Sequence, residues 1–141
     1  MMKRVISFLM MCLLVSGCAT VNNLDNLRAE NRQKTLLLKI GLTKNEVTAL
    51  MGTKSATDSE WVGILNGGTM THTVNNPYRS ETLQGKDKVL EVLYYYTDVK
   101  RQDNAITDDE LTPVVFDNGK VIGWGWGFLE DNKNKYEIRV R

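Results

Sequence analysis

The chain has 141 residues, 18 basic and 17 acidic side chains, one histidine and two cysteines, for a formal net charge of +1. Near-neutrality without a basic block argues against binding to a nucleic-acid backbone. Two cysteines are too few for a disulfide framework, so a folded domain here must be held by packing.

Lys3 and Arg4 open the chain and an apolar run from Val5 to Val15 follows. That is the charged and apolar part of a secretory signal, too short for a membrane span of about 20 residues. The run ends on Val15-Ser16-Gly17-Cys18, which resembles the lipobox of bacterial lipoproteins. The resemblance implies a diacylglycerol thioether on Cys18, cleavage before it, and acylation of the new amine. Residues 1–17 are then a signal peptide and 18–23 a lipidated tether. Cys12 leaves with the signal, so the mature chain keeps Cys18 alone. Ala19 follows the cysteine; an Asp there would imply retention at the inner membrane, so the expected address is the periplasmic face of the outer membrane.

Residues 24–141 read as one domain. Residues 24–34 are polar with Leu24 and Leu27 at helical spacing, and the helix gains apolar character at Leu36, Leu37, Leu38 and Ile40 before Gly41 stops it. In 42–52, Thr43 and Glu46 form a capping box, Val47, Leu50 and Met51 an apolar face, and Gly52 a C-cap. Weak strands are expected near 60–65 and 69–74, and a turn or loop around Pro77 over 75–81. Residues 89–97 are a β-branched and aromatic strand. Its alternation sends Leu90, Val92, Tyr94 and Tyr96 to one face and Val89, Glu91, Leu93 and Tyr95 to the other. Residues 101–110 read as a polar loop. Residues 112–128 read as a hairpin turning on Asp117-Asn118-Gly119, and 130–141 as an added edge strand. The fold class is α+β in two layers: two N-terminal helices packed on an antiparallel meander of three or more strands.

The segment LKIGLTKNEVTALMGT is similar to the helical signature of the BamE (SmpA/OmlA) family of small outer-membrane lipoproteins, and VLYYYT and VVFDNGKVIGW to its later strands. The likeness spans residues 36–128. It implies two helices on a three-stranded antiparallel sheet, an architecture shared with beta-lactamase inhibitor proteins. Gly52-Thr53-Lys54 stands where that family has Gly-x-Pro. The stretches NNPYRSE and DDELTP are additions to its pattern, so the resemblance is that of a sister family.

Catalysis finds little support. His72 lies in a Thr-rich stretch, and Ser55, Ser59 and Ser80 sit in no nucleophile elbow. Asp103, Asn104, Asp108 and Asp109 lack the alternation and central glycine of a calcium loop, so 101–110, with Glu110, reads as a solvated acidic loop. No metal and no cofactor are expected. Two stretches are candidates for partner binding. In GWGWG, a strand would align Ile122, Trp124, Trp126 and Phe128 on one face, as core or as contact surface, and leave the glycine face bare. In NNPYRSE, Asn76 and Pro77 would present Tyr78 and Arg79, side chains enriched at binding hot spots. The alternative there is a structural turn, with Arg79 paired to Glu81 or another carboxylate and Tyr78 plugging the sheet. The expected function is a lipid-anchored, non-enzymatic accessory protein that binds an envelope protein in outer-membrane assembly or maintenance. The alternatives are a module for a glycan or lipid headgroup, or an inhibitor of a periplasmic enzyme.

Overall fold

The computed structural model describes residues 23–63, 67–101, 103 and 105–138. Cys18 and the expected signal and tether up to residue 22 lie outside them. The chain is α+β, with three α-helices and two antiparallel sheets among the described residues. Helices α1 (Asn23–Thr35) and α2 (Lys44–Met51) come first. Strands β1 (Ala56–Val62) and β2 (Gly68–Val74) form a separate ribbon. A four-stranded meander follows, from β3 (Arg79–Gln84), β4 (Val89–Tyr96), β5 (Leu111–Asp117) and β6 (Lys120–Trp124), and α3 (Trp126–Lys135) comes after it.

β4 organises the domain. It pairs with β3 on one side and β5 on the other. Leu90, Val92, Tyr94 and Tyr96 enter one core with Leu83, Leu111 and Val115, covered by Leu27 of α1, Val74 of β2 and Leu129 of α3. Leu93 and Tyr95 enter a second core with Val114, Phe116 and Val121, covered by Leu38 and by Val47 and Met51 of α2. A strand buried on both faces reads as a continuous apolar run, which is why VLEVLYYY carries a single charge. That charge, Glu91, lies near the strand's start and meets Lys44 Nζ at 2.6 Å. The two N-terminal helices thus serve opposite faces of the sheet, which corrects the two layers expected to three, because β4 is apolar on both of its faces.

The local signals of α2 hold. Thr43 Oγ1 accepts from Glu46 N at 3.3 Å, and Glu46 accepts from Thr43 N at 2.7 Å. Gly52 leaves the helix at φ 84°. Val47 and Met51 are buried and Leu50 is half-buried. The β5–β6 turn also holds, with Asn118 at φ 48° and Gly119 at φ 74°, the paired positive angles of a tight type I′ hairpin.

Four further expectations are corrected. First, α1 ends at Thr35, and the next three amides bond to carbonyls three residues back, a tightened last turn. Of the four apolar residues expected to extend that helix only Leu38 is buried; Leu36, Leu37 and Ile40 are exposed. Second, the loop expected over 75–81 ends early: β3 starts at Arg79, because Tyr94 and Leu93 of β4 offer it a pairing edge.

Third, 120–128 is not one strand. The register slips between Val115 and Phe116, so Ile122 packs on the β4–α3 side while Trp124 packs on the α2 side. Gly125, at φ 87°, then takes the chain out of the sheet and Trp126 begins α3. Trp126 and Phe128 join Ile122 on their side of the sheet, but from a helix. The bare face at Gly123 receives the Phe128 ring: a Cβ there would lie 2.5 Å from it. Fourth, in place of the edge strand expected over 130–141, α3 continues to Lys135; residues 139–141 lie outside the described residues. Leu129 is its buried residue, and Tyr136 and Ile138 pack beyond its end.

Met51→Ala should therefore lower stability by about 2–5 kcal/mol, as for a fully buried core side chain, and Leu50→Ala by less, measured by denaturant unfolding. Tyr95 supplies a second test. Its side chain is buried and its hydroxyl has no hydrogen-bond partner among the described residues. Burial also pushes that hydroxyl from 10.0 up to about 12. Unfolding frees it to ionise first, so it contributes a loss of stability as pH rises through that interval. Tyr95→Phe should leave stability at neutral pH equal or higher, because an unsatisfied buried hydroxyl costs about 1–3 kcal/mol, and should flatten the alkaline decline.

Candidate functional site

The β1–β2 ribbon stands apart from the main sheet and is tied to α1 by polar contacts. Asp58 of β1 accepts from the first helical amides, Asn23 N at 2.9 Å and Leu24 N at 3.4 Å, and Asn23 Nδ2 donates to Thr57 O at 3.1 Å. A carboxylate at a helix N-terminus satisfies amides that the helix itself cannot. Two turns on, the fully buried Asn31 donates through Nδ2 to Asn76 Oδ1 at 3.1 Å and Tyr96 O at 2.9 Å. Asn76 donates in turn to Met51 O at 3.0 Å and Gly52 O at 3.2 Å. This amide junction fastens α1, the end of α2, the foot of the ribbon and β4 at one point.

Between α1, the ribbon and the 97–110 segment lies a cleft of about 820 Å³. Asp25 and Arg28 of α1, paired at 2.7 Å, form one wall. Asp58, Glu60 and His72 of the ribbon form another, and Arg101 and Ile106 a third. Tyr78, Tyr96 and Val74 line it from the core side. His72 sits opposite Asp58 in the ribbon register, and its Nε2 is buried without a hydrogen-bond partner among the described residues. Burial is the chief cause that raises the Tyr96 phenol above its ordinary value.

The acidic stretch 108–110 departs from the expected solvated loop. Asp108 and Asp109 are exposed, but Glu110 is buried. Its carboxylate accepts from Lys100 N at 2.5 Å, Thr107 N at 3.1 Å and Arg101 N at 3.3 Å, and its carbonyl from Thr97 N and Asp98 N at 3.0 Å each. Glu110 is the stitch that closes the 97–110 segment against the end of β4. Asp108 instead reaches Arg79, and Asp109 accepts from Thr107 Oγ1 at 2.5 Å. The three carboxylates diverge, and among the described residues no cluster of three or more His, Cys, Asp or Glu side chains could hold a metal ion.

The residues singled out in the sequence separate. Asn76 is buried and its amide is engaged inside the fold, so it serves the junction; Pro77 beside it is half-buried. Tyr78 is half-buried, packs on the β4 core and lines the cleft. Arg79 leaves the turn for β3. Its guanidinium lies 4.1 Å over the Tyr94 ring, with Nη1 2.7 Å from Asp108 and Nε 3.3 Å from Glu81. Tyr94 donates its hydroxyl to Glu81 at 2.8 Å and lies beside Trp126, ring centres 5.7 Å apart. Its phenol is raised by burial first and by the bond to Glu81 second. Trp126 donates Nε1–H to Leu111 O at 2.8 Å, and Trp124 packs on the α2 side. So Tyr78 alone of these lines the cleft, while Arg79 and Trp126 converge on Tyr94. The cleft itself has no local sequence signal, because its walls come from four separated stretches.

These features define a small α+β domain with a polar cleft between its first helix and an outlying ribbon. The chain belongs to the DUF3192 family, described as a protein of unknown function, which matches residues 12–131. Neither the curated proteins nor the solved structures include a match to it.

Glu110→Ala should orphan three amides and lower stability by about 3 kcal/mol or more. Asp109→Ala should stay within about 0.5 kcal/mol of the parent. Chemical denaturation of both variants measures the difference.

Proposed function

We propose that the chain is a lipid-anchored, non-enzymatic accessory protein on the periplasmic face of the outer membrane, where it binds a protein partner in envelope assembly or maintenance. The observation that carries this reading is the lipobox Val15–Cys18, five residues ahead of a helix whose first amides are already held by the fold. A tether this short keeps the domain at the membrane and raises its effective concentration toward a membrane-bound partner, so a modest interface can suffice. The family match runs through Cys18, which agrees with a leader end shared with the domain. No helix among the described residues is long and apolar enough to cross a membrane, so attachment in this reading falls to the acyl chains.

Kinship with the BamE family is part of the proposal. Its support is the order of elements: two helices, the second with the Thr43–Glu46 box and Gly52, then an antiparallel meander whose last hairpin turns on Asn118-Gly119. The third helix and the separate ribbon are additions to that plan. Tyr78 and Arg79 remain the proposed partner contacts. Arg79 is one-third exposed and is held in one orientation by Tyr94, Asp108 and Glu81, which lowers the entropy lost on binding. A second reading, capture of a small envelope ligand such as a glycan or lipid headgroup, is favoured by the cleft, with Tyr78, Arg101 and the unpartnered His72 Nε2 as its contacts.

Cys18→Ser should abolish fatty-acid labelling and leave unprocessed precursor. In the acylated parent, a photo-crosslinker at Arg79 should give one stoichiometric envelope-protein adduct, and one at Lys54, an exposed residue after α2, should not. Labelling that persists in Cys18→Ser removes the anchor. Equal crosslinking from both positions removes the Tyr78/Arg79 interface and leaves the cleft as the site to probe with glycans and headgroups.

A further inference from the structure

The described surface carries few large apolar side chains, and three of them gather at the free end of the β1–β2 ribbon: Trp61, 69 % exposed, Met70, 55 %, and Val62, 46 %. We propose that this ribbon end is a membrane-contact finger, inserted at the headgroup–acyl boundary of the bilayer that holds the acyl chains. The inference rests on the lipid-anchor reading above and adds a second, non-covalent contact to it.

The direction of α1 comes first. Its first residue touches Thr57 and Asp58, the second and third residues of β1, while Asn31 touches Asn76, just beyond the foot of the ribbon where Ala56 pairs with Val74. The helix therefore runs toward the foot of the ribbon, and its N-terminus points toward the free end. From Cys18 to Asn23 is five residues, which span at most about 17 Å. From Asp58 to Val62 the strand advances about 13 Å toward the free end. A tether of that length is long enough to reach the level of the ribbon end, so a membrane holding Cys18 can lie within reach of Trp61.

The chemistry of the ribbon end separates lipid from protein as its occupant. In the register, Glu60 faces Met70 and Trp61 faces Thr69, so Trp61 lies on one face of the ribbon and Val62 and Met70 on the other. A protein interface would bury one face; apolar side chains on both faces suit immersion of the end as a whole. Trp61 already donates Nε1–H to Gly63 O at 3.0 Å, so its ring can leave water without stranding a polar group. An indole with an apolar body and a satisfied polar edge belongs to the interfacial belt of membrane proteins. Of residues 60–63 and 67–71 only Glu60 is charged, and none is basic. The contact is therefore apolar in origin and indifferent to anionic lipid and to salt. Because two or three acyl chains already make attachment permanent, the finger's effect is orientation: it sets which side of the domain faces the bilayer.

The acylated full-length mature protein is to be reconstituted into phosphatidylethanolamine–phosphatidylglycerol vesicles containing lipids brominated near the top of the acyl chain. The Trp61 contribution is the difference between the parent and Trp61→Phe, since Trp124 and Trp126 also emit. The expected result is a blue-shifted Trp61 emission, quenched by the brominated lipid, unchanged between low and high salt and between neutral and anionic vesicles. Met70→Ser/Val62→Ser should reduce the quenching. A water-like, unquenched Trp61 in protein whose mass shows acylated Cys18 overturns the finger and leaves the anchor standing. A blue shift without bromine quenching means Trp61 is covered by protein, a second copy included, and also overturns it. Mature protein without acyl mass overturns the anchor reading and the finger with it.

Discussion

The burial of β4 on both faces is the constraint on which the rest depends. A strand carrying Leu90, Val92, Tyr94 and Tyr96 on one side and Leu93 and Tyr95 on the other cannot leave either side to water. Each remaining element answers that requirement. β3 and β5 satisfy its backbone, α2 covers one face, and α1, α3 and the foot of the ribbon cover the other. The glycines of GWGWG follow from it as well: Gly123 yields its volume to Phe128 so that α3 can lie close over the sheet, and Gly125 allows the turn into that helix.

Polar contacts then decide what stands outside the core. The ribbon meets α1 through Asp58 and the Asn31–Asn76 junction. Contacts of this kind hold a geometry without filling the space between elements, whereas apolar contacts would draw the surfaces together. The cleft is the space so preserved. Glu110 has the same role on the opposite wall, holding 97–110 by three amide bonds where few apolar side chains could. The ribbon end, free of the core, keeps Trp61, Val62 and Met70 exposed beyond the point where the chain enters α1.

The features legible in advance share one property: their physics acts within a few residues. The capping box joins Thr43 to Glu46, the type I′ turn needs Asn118-Gly119, and the alternation of β4 is complete within eight. The Gly/Trp stretch failed because Trp124, Trp126 and Phe128 are spaced by two only over five residues, too short to exclude a helix starting at Trp126. The decision came from Gly125 at φ 87° and from the fit of Phe128 on Gly123, one a backbone angle and the other a packing contact. Glu110 misled in the same way, since a carboxylate beside two exposed ones gives no sign of the three amides that fold around it.

By itself, then, the sequence determined an α+β domain with a capped second helix, a β-branched and aromatic strand and a hairpin turn on Asn118-Gly119. Tertiary structure alone decided that the first two helices take opposite faces of the sheet, that a helix follows the last hairpin, and that Asn76 is a junction rather than a contact. It also decided that a cleft lies between α1 and the ribbon. The reason is sequence distance. Asn23 meets Asp58 across 35 residues and Asn31 meets Tyr96 across 65. Such meetings depend on how whole elements pack, which no short-range pattern encodes.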